Sequence, residues 1–275
     1  MSMTLAGQGG LPMTRIETRE VASAEIYLHG AHVTSWRLPN GDERLFLSPR
    51  AEFAAGKAIR GGVPIIFPQF NREGPLPRHG FARNRTWQFV AVTEGTAMFR
   101  LSSDAETQAI WPARFTADLT VNIRANILNL GFAVHNLGAE PISFTCALHT
   151  YLRVNAIEQV EVTGLAGVTY SDKTREGHQG VQDGVLLIDR ETDHVYYDVT
   201  ELVTVREPAR VTQVRQTGFT DVVVWNPWTS AAQLADMEPE GYREMLCVEA
   251  AVIGMPVQLE PNAVWAGTQQ LMAEL

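Results

Sequence analysis

Along most of the chain apolar and polar residues alternate one by one, in short runs separated by Gly, Asn, Asp or Pro. A strand turns successive side chains to opposite faces, so a period of two predicts half-buried antiparallel strands. Phe115, Ala117, Leu119, Val121 and Ile123 share one face of such a run, Arg124 to Asn126 reads as a turn, and Ile127 to Val134 returns as the second arm of a hairpin. Trp87 to Val92 and Ala97 to Leu101 form another hairpin around Glu94 and Gly95. Further strands are predicted at 25–28, 32–36, 142–149, 195–199, 210–216, 222–225, 247–251 and 263–272, and short helices only at 105–110 and 231–237. Many strands, few helices and no linker or internal repeat predict an all-β fold, a large antiparallel β sandwich. It is expected to form one domain over residues 14–275, behind a flexible segment over 1–13. The stretch Gly164 to Gly184, rich in Gly, Asp, Thr and Gln, reads as a long loop of the kind that borders sites on sandwiches.

Composition narrows the function. A chain of 275 residues, 45% hydrophobic and 19% charged, can bury a large core in one such domain. A net charge of -9 argues against nucleic acid or an anionic membrane as partner, because both need a broad basic face. The first thirteen residues hold no basic start followed by an apolar run, and no later run reaches the ~18 apolar residues of a membrane span. The protein is therefore read as cytoplasmic, and it is expected to act as a monomer. Cys146 and Cys247 stand in apolar strand-like runs, where buried thiols are expected rather than a disulfide framework.

Small anions are not excluded by the charge. Arg60, Arg72, Arg78, Arg83 and Arg85 cluster in a stretch whose only acid is Glu73. Guanidinium groups grip phosphate oxygens in bidentate fashion, so arginines converging from the segments 59–70 and 77–87 would make an anion pocket. Spacing alone leaves open a solvated basic loop. His149 closes the apolar run FTCALH and reads as a core histidine or a proton-transfer group. Glu249 lies among Leu246, Cys247, Val248, Ala250, Ala251, Val252 and Ile253, so it is buried and must be either ion-paired or functional. Asp193 reads on spacing as a turn residue, or else as facing the same cavity. Trp225 and Trp228 offer flat apolar surface for core packing or for a sugar ring. His29 and His32, three apart on a strand-like run, would point to opposite faces, and no metal is expected.

Taken together, IRGGVPIIFPQF (59–70), PRHGFARNRTW (77–87), LHTYLRV, ETDHVYY, VVVWNPW and CVEAAV stand in the order and approximate spacing of the hexose-6-phosphate mutarotases, or glucose-6-phosphate 1-epimerases. The chain resembles this family, part of the galactose mutarotase-like superfamily, from about Gly30 to near its end. The resemblance implies a β sandwich with an open cleft, a catalytic His at His149 and a catalytic Glu at Glu249. It implies substrate contacts from Asp193, phosphate contacts from Arg60 and Arg83, and a place beside the site for His79. Arg78 departs from the small or amide residue of the family pattern, and an extra arginine there would tighten phosphate binding. No cofactor is implied. Opening a cyclic hemiacetal takes a proton from the anomeric hydroxyl and delivers one to the ring oxygen, so Glu249 is expected as base and His149, kept protonated by nearby carboxylates, as acid. A mutarotase of free sugars and a non-catalytic carbohydrate-binding protein are the alternatives.

Overall fold

In the computed structural model, which describes residues 4–274, the alternation resolves into three sheets of antiparallel strand pairs. The nine-stranded sheet runs in the order Leu186–Leu187, Glu161–Thr163, Val203–Glu207, Arg210–Thr217, Val264–Ala273, Ile127–Asn136, Phe115–Arg124, Thr96–Ser102, Gln88–Thr93. Both predicted hairpins lie at its far end, and Phe115–Arg124 is alternately buried and half-buried along its length, as one core face requires. The eight-stranded sheet runs His178–Val181, Thr169–Asp172, Thr192–Tyr196, Asp221–Asn226, Met245–Leu259, Ile142–Leu148, Ile65–Ile66, with Tyr151–Arg153 also pairing to Met245–Leu259. A four-stranded sheet holds Leu5–Ala6, Pro12–Glu17, Ser23–Tyr27 and His32–Arg37. Among the described residues, no helix is long and apolar enough to cross a membrane.

Three expectations need correction. The segment expected to be flexible, 1–13, lies outside the described residues at 1–3, while Leu5 and Ala6 pair with Met13 and Pro12. The Gln8 amide donates to the Tyr27 hydroxyl at 3.0 Å, and Met13, Tyr27 and Ile59 bury together, a long-range patch that a Gly-rich segment does not announce. The stretch 164–184 is not one loop: Thr169–Asp172 and His178–Val181 form a hairpin that extends the eight-stranded sheet. It packs on the neighbouring strand Thr192–Tyr196, Tyr170 stacking on His194 at 4.4 Å. The helix predicted at 231–237 is a 3-10 helix over Trp228–Gln233 instead. The helix Ala105–Ile110 forms as predicted, capped by Asp104, whose side chain accepts from the Thr107 amide.

All three sheets contribute to one apolar core, with Ile26 and Trp36, Leu119 and Phe132, Val224 and Ala250 among its members. At its centre Phe67 meets Trp111, Phe115, Phe132 and Phe144 edge-on, with ring centroids 5.3–5.7 Å apart. Each such pair adds ~1 kcal/mol to the burial of the rings themselves. That anchoring reaches the site, because the Phe67 carbonyl accepts from the amides of Phe81 and Ala82 and so ties segment 59–70 to segment 77–87.

Met245–Leu259 differs from the outer strands, since its first nine residues are all buried. Val248, Ala250 and Val252 face the main core, whereas Ala251 and Ile253 join a second cluster with Ile66, Phe70, Ala147, Val195 and Val223 on the opposite face. Glu249 falls on that second face by the period of two.

Candidate active site

His149 sits where one strand becomes two. Leu148 pairs with Ala250 and Tyr151 with Cys247, so the register runs unchanged across the gap and sets His149 opposite Glu249 on the long strand. The backbone departs from the ladder there, with the His149 amide donating to the Pro64 carbonyl at 3.0 Å. Behind it, the Thr150 hydroxyl donates to Gln269 Oε1 at 2.5 Å and Gln269 Nε2 to the Val248 carbonyl at 3.0 Å, which pins the interruption to the nine-stranded sheet.

The result is a buried acid and base in contact. His149 Nε2 lies 3.3 Å from Glu249 Oε1, with Glu249 only 1% exposed. Tyr151 stacks on the imidazole at 4.8 Å and 11°, and the Trp225 ring meets it edge-on. Among the described residues, His149 Nδ1 and Glu249 Oε2 are buried without a hydrogen-bond partner, an arrangement native proteins rarely tolerate away from functional sites.

An open cleft gathers His149 and Glu249 with Arg60, Arg78, His79, Arg83 and Asp193, the seven residues that the sequence reading and the resemblance put at the site. Phe70, Asn71, Val223, Trp225 and Leu234 complete its lining. Arg72 and Arg85 do not join it: Arg85 turns to Glu106. The three arginines of the cleft are differently placed. Arg60 is neutralised, its Nε 3.1 Å from Asp236 Oδ1 and its Nη1 donating to the Tyr151 hydroxyl at 3.0 Å, and Tyr151 and Asp236 hold the guanidinium above its usual range. Arg78 is exposed and donates to the Asn71 side chain. Among the described residues, half-buried Arg83 makes its one side-chain hydrogen bond to the Arg78 carbonyl at 3.4 Å and keeps a buried Nε without a partner. Burial, with Arg60 and Arg78 nearby, brings it down to about 10 against the pull of Tyr151 and Asp236; it stays a cation at neutral pH, and among the described residues no carboxylate is in ion-pair contact with it.

His79 is held in the left-handed region at φ +65°. Its amide donates to the Asn71 carbonyl and its Nδ1 accepts from the Asn71 amide, so the ring hydrogen belongs on Nε2. Burial and the positive charges of Arg83, Arg78 and Arg60 push it down to about 3, so it remains a neutral donor. The adjoining Gly80, at φ +66°, leaves no room for a side chain, since a Cβ would stand 2.1 Å from the Phe67 carbonyl oxygen. Gly80→Ala is expected to cost at least about 2 kcal/mol in urea unfolding, from backbone strain and the clash together.

Burial raises the Asp193 carboxyl to about 6 from 3.8, against the pull of Lys173 and Arg78. A carboxyl that holds its proton more tightly when folded contributes stability below about pH 4 that is lost as pH rises through about 6. At pH 7 the ionised Asp193 is therefore a burden. Asp193→Asn is expected to raise unfolding stability at pH 7 by about 1 kcal/mol, discounted for its partial exposure, with the gain fading toward pH 4. An equal gain at both pH values would place its origin elsewhere.

The proton balance of the central pair departs from expectation. Burial first, then His79, Arg83 and Arg60, hold His149 well below the usual imidazole range. Burial and Asp193 hold Glu249 well above the usual carboxylate range, with Arg83 acting the other way. The carboxylates expected to keep His149 charged are outweighed, and without substrate the neutral pair is favoured.

Tyr151 and Asp236 were not among the residues singled out. Tyr151 stands two residues beyond His149, which puts both on one face of a strand, whereas nothing in the sequence near 236 foretells its partner at 60.

Known proteins share this arrangement of sheets and sequence. Residues 12–272 match the family model described as aldose 1-epimerase. A protein of Cenchrus ciliaris is 37% identical over 266 residues, covering 91% of this chain and 81% of its own length. One from Escherichia coli strain K12 is 35% identical over 239 residues, covering 83% and 79%. Both bear the name "Putative glucose-6-phosphate 1-epimerase". The crystal structure of a "putative mutarotase" from Salmonella typhimurium superposes with a TM-score of 0.88 at 29% identity, covering 96% of this chain and 90% of that one.

Proposed function

This chain belongs to the aldose 1-epimerase family, and from that premise we propose that it interconverts the α and β anomers of a hexose 6-phosphate, D-glucose 6-phosphate first among them. The observation that carries the choice of a phosphorylated sugar is Arg83, a half-buried guanidinium whose Nε is unpartnered and which, among the described residues, makes no ion-pair contact, in the same cleft as the His149–Glu249 pair. A free hexose has no charge to offer such a group. A phosphoryl dianion does, and Arg78, exposed at the rim, adds a second donor set for it.

Ring opening needs two proton movements at neighbouring atoms. In our reading the Glu249 carboxylate takes the proton of the anomeric hydroxyl while His149 gives one to the ring oxygen. The bond from C1 to O5 breaks, rotation about C1 to C2 turns the aldehyde, and O5 re-forms the bond on the other face of C1, giving its proton back to His149 while Glu249 returns its proton to the C1 oxygen. The proton count is unchanged. Asp193 and the neutral His79 are assigned to sugar hydroxyls, Trp225 to the sugar ring, and Arg60, Arg78 and Arg83 to the phosphate. The test is NMR exchange spectroscopy on equilibrated D-glucose 6-phosphate, with D-glucose run beside it. Enhanced exchange of the phosphate ester alone is expected; equal enhancement of both would make the protein a free-sugar mutarotase, and none of either, from folded protein, a binding protein.

A further inference from the structure

The charges of the cleft are unevenly divided about the His149–Glu249 pair. Arg60 projects from segment 59–70, and Arg78, His79 and Arg83 from segment 77–87. His79, Arg83 and Arg60 act on His149, and the His79 ring centroid is 6.0 Å from that of His149. From the other side Asp193, on the strand Thr192–Tyr196, acts on Glu249, where Arg83 is the one opposing cation. The remaining titratable neighbours are Tyr151 and Cys247, both buried and held neutral by that burial, Lys173, which is paired with Glu73 at 2.7 Å, and Asp236, which pairs with Arg60 at 3.1 Å and acts on Arg83 from farther off. In the sheet order Thr192–Tyr196, Asp221–Asn226, Met245–Leu259, Ile142–Leu148, Ile65–Ile66, Asp193 lies on the Glu249 side of the pair and the arginine-bearing segments on the His149 side. With His79 neutral and Arg60 paired to Asp236, the uncompensated positive charge there is that of Arg83 and Arg78, and the field drives the shared proton toward Glu249. The reaction needs it on the imidazole.

We propose that the phosphoryl group is an activator as well as an anchor: a dianion seated against Arg60, Arg78 and Arg83 cancels the positive charge facing His149 and moves the proton of the pair from Glu249 to His149. The active form then differs from the resting one by one proton carried across the 3.3 Å contact, with no proton gained from solvent. The dianion need not be covalently attached to the sugar. Inorganic phosphate therefore confers on this protein a further activity, the anomerisation of unphosphorylated aldoses small enough to leave the arginines free. D-xylose, the glucose ring without C6, is such an aldose.

This inference rests on the phosphate-binding reading of the cleft, and one experiment separates the two. Exchange of D-xylose is followed by NMR at pH 7 with the full-length protein at increasing inorganic phosphate and constant ionic strength, chloride replacing phosphate in the control. Phosphate alone catalyses mutarotation, so the Glu249→Gln protein in the same buffers supplies the blank. The protein-dependent rate is expected to rise at least about tenfold, the equivalent of one pKa unit recovered at His149, and to saturate. Arg83→Met removes a seat and a charge together. Its rate on D-xylose without phosphate is expected to exceed that of the wild type and to respond weakly to phosphate. Exchange of D-glucose 6-phosphate with no phosphate response on D-xylose, or with inhibition, would leave the arginines as anchors alone and overturn the proposal. If D-glucose 6-phosphate is not exchanged either, both readings fall.

Discussion

Glu249→Gln is expected to lower the anomer exchange rate of D-glucose 6-phosphate by ~10²–10⁴, the usual worth of one positioned proton transfer, while the Michaelis constant changes by less than about threefold. An amide fills the volume of the carboxyl, so the packing of Val223, Ala251 and His149 around position 249 survives. It cannot take a proton from an anomeric hydroxyl. Stability should not suffer, because the buried carboxyl is held toward its neutral form in the resting protein and the amide reproduces a neutral group. His149→Ala is the less informative change: it empties the stack on Tyr151 and leaves Glu249 without its 3.3 Å neighbour. Urea unfolding run beside the exchange measurement separates loss of chemistry from loss of fold. A Glu249→Gln protein that is folded and within about tenfold of the wild-type rate would remove Glu249 from the role of base.

The pH dependence belongs to the pair rather than to either residue. Two groups in contact that exchange one proton titrate in two macroscopic steps, so the limbs of the wild-type profile report the removal of the last proton and the addition of a second. The resting field, positive toward His149 and negative toward Glu249, opposes the reactive arrangement, and substrate charge is what reverses it.

How much of this was legible in the sequence follows from how far each signal reaches. Period-two runs are local, and they located the hairpins at 88–102 and 115–136 because neighbouring strands there are also neighbours in sequence. Glu249 was legible for a similar reason: a carboxylate in an unbroken apolar strand has few explanations, and both faces of that strand are indeed covered. The hairpin at 169–181 was not legible, since its support comes from aromatic rings and a carboxylate on a polar stretch, Tyr170, His194, Tyr196 and Asp172, rather than from alternating apolar residues. Nor was the division among the arginines. Five stood close together in sequence, but whether a guanidinium meets Asp236, Glu106 or nothing depends on residues 21–176 positions away. The proton state of His149 was misjudged for the same reason, because it depends on how arginines from two segments converge and on burial, neither of which spacing reveals.

That division among the arginines makes the second large effect specific. Arg83→Met is expected to lower the specificity constant for D-glucose 6-phosphate by ~10²–10³, about 3–4 kcal/mol, while activity on unphosphorylated sugar is not lowered. Arg83 is half-buried, its Nε has no hydrogen-bond partner and among the described residues no carboxylate is in ion-pair contact with it, so its attraction for a dianion is weakly screened. Arg78→Met, at an exposed position with Asn71 already in reach, should cost about tenfold or less, since solvent and salt screen its charge. Arg85 is close to both in sequence but turned to Glu106 outside the cleft, and Arg85→Met should leave the specificity constant within about twofold. The comparison that decides is the ratio of the phosphorylated to the unphosphorylated substrate across the three variants. A fall in that ratio confined to Arg83, and in smaller measure Arg78, assigns recognition to a buried charge. A ratio unchanged in Arg83→Met would mean that the protein does not tell a phosphorylated hexose from a free one through this residue, and the unpaired guanidinium would need another partner.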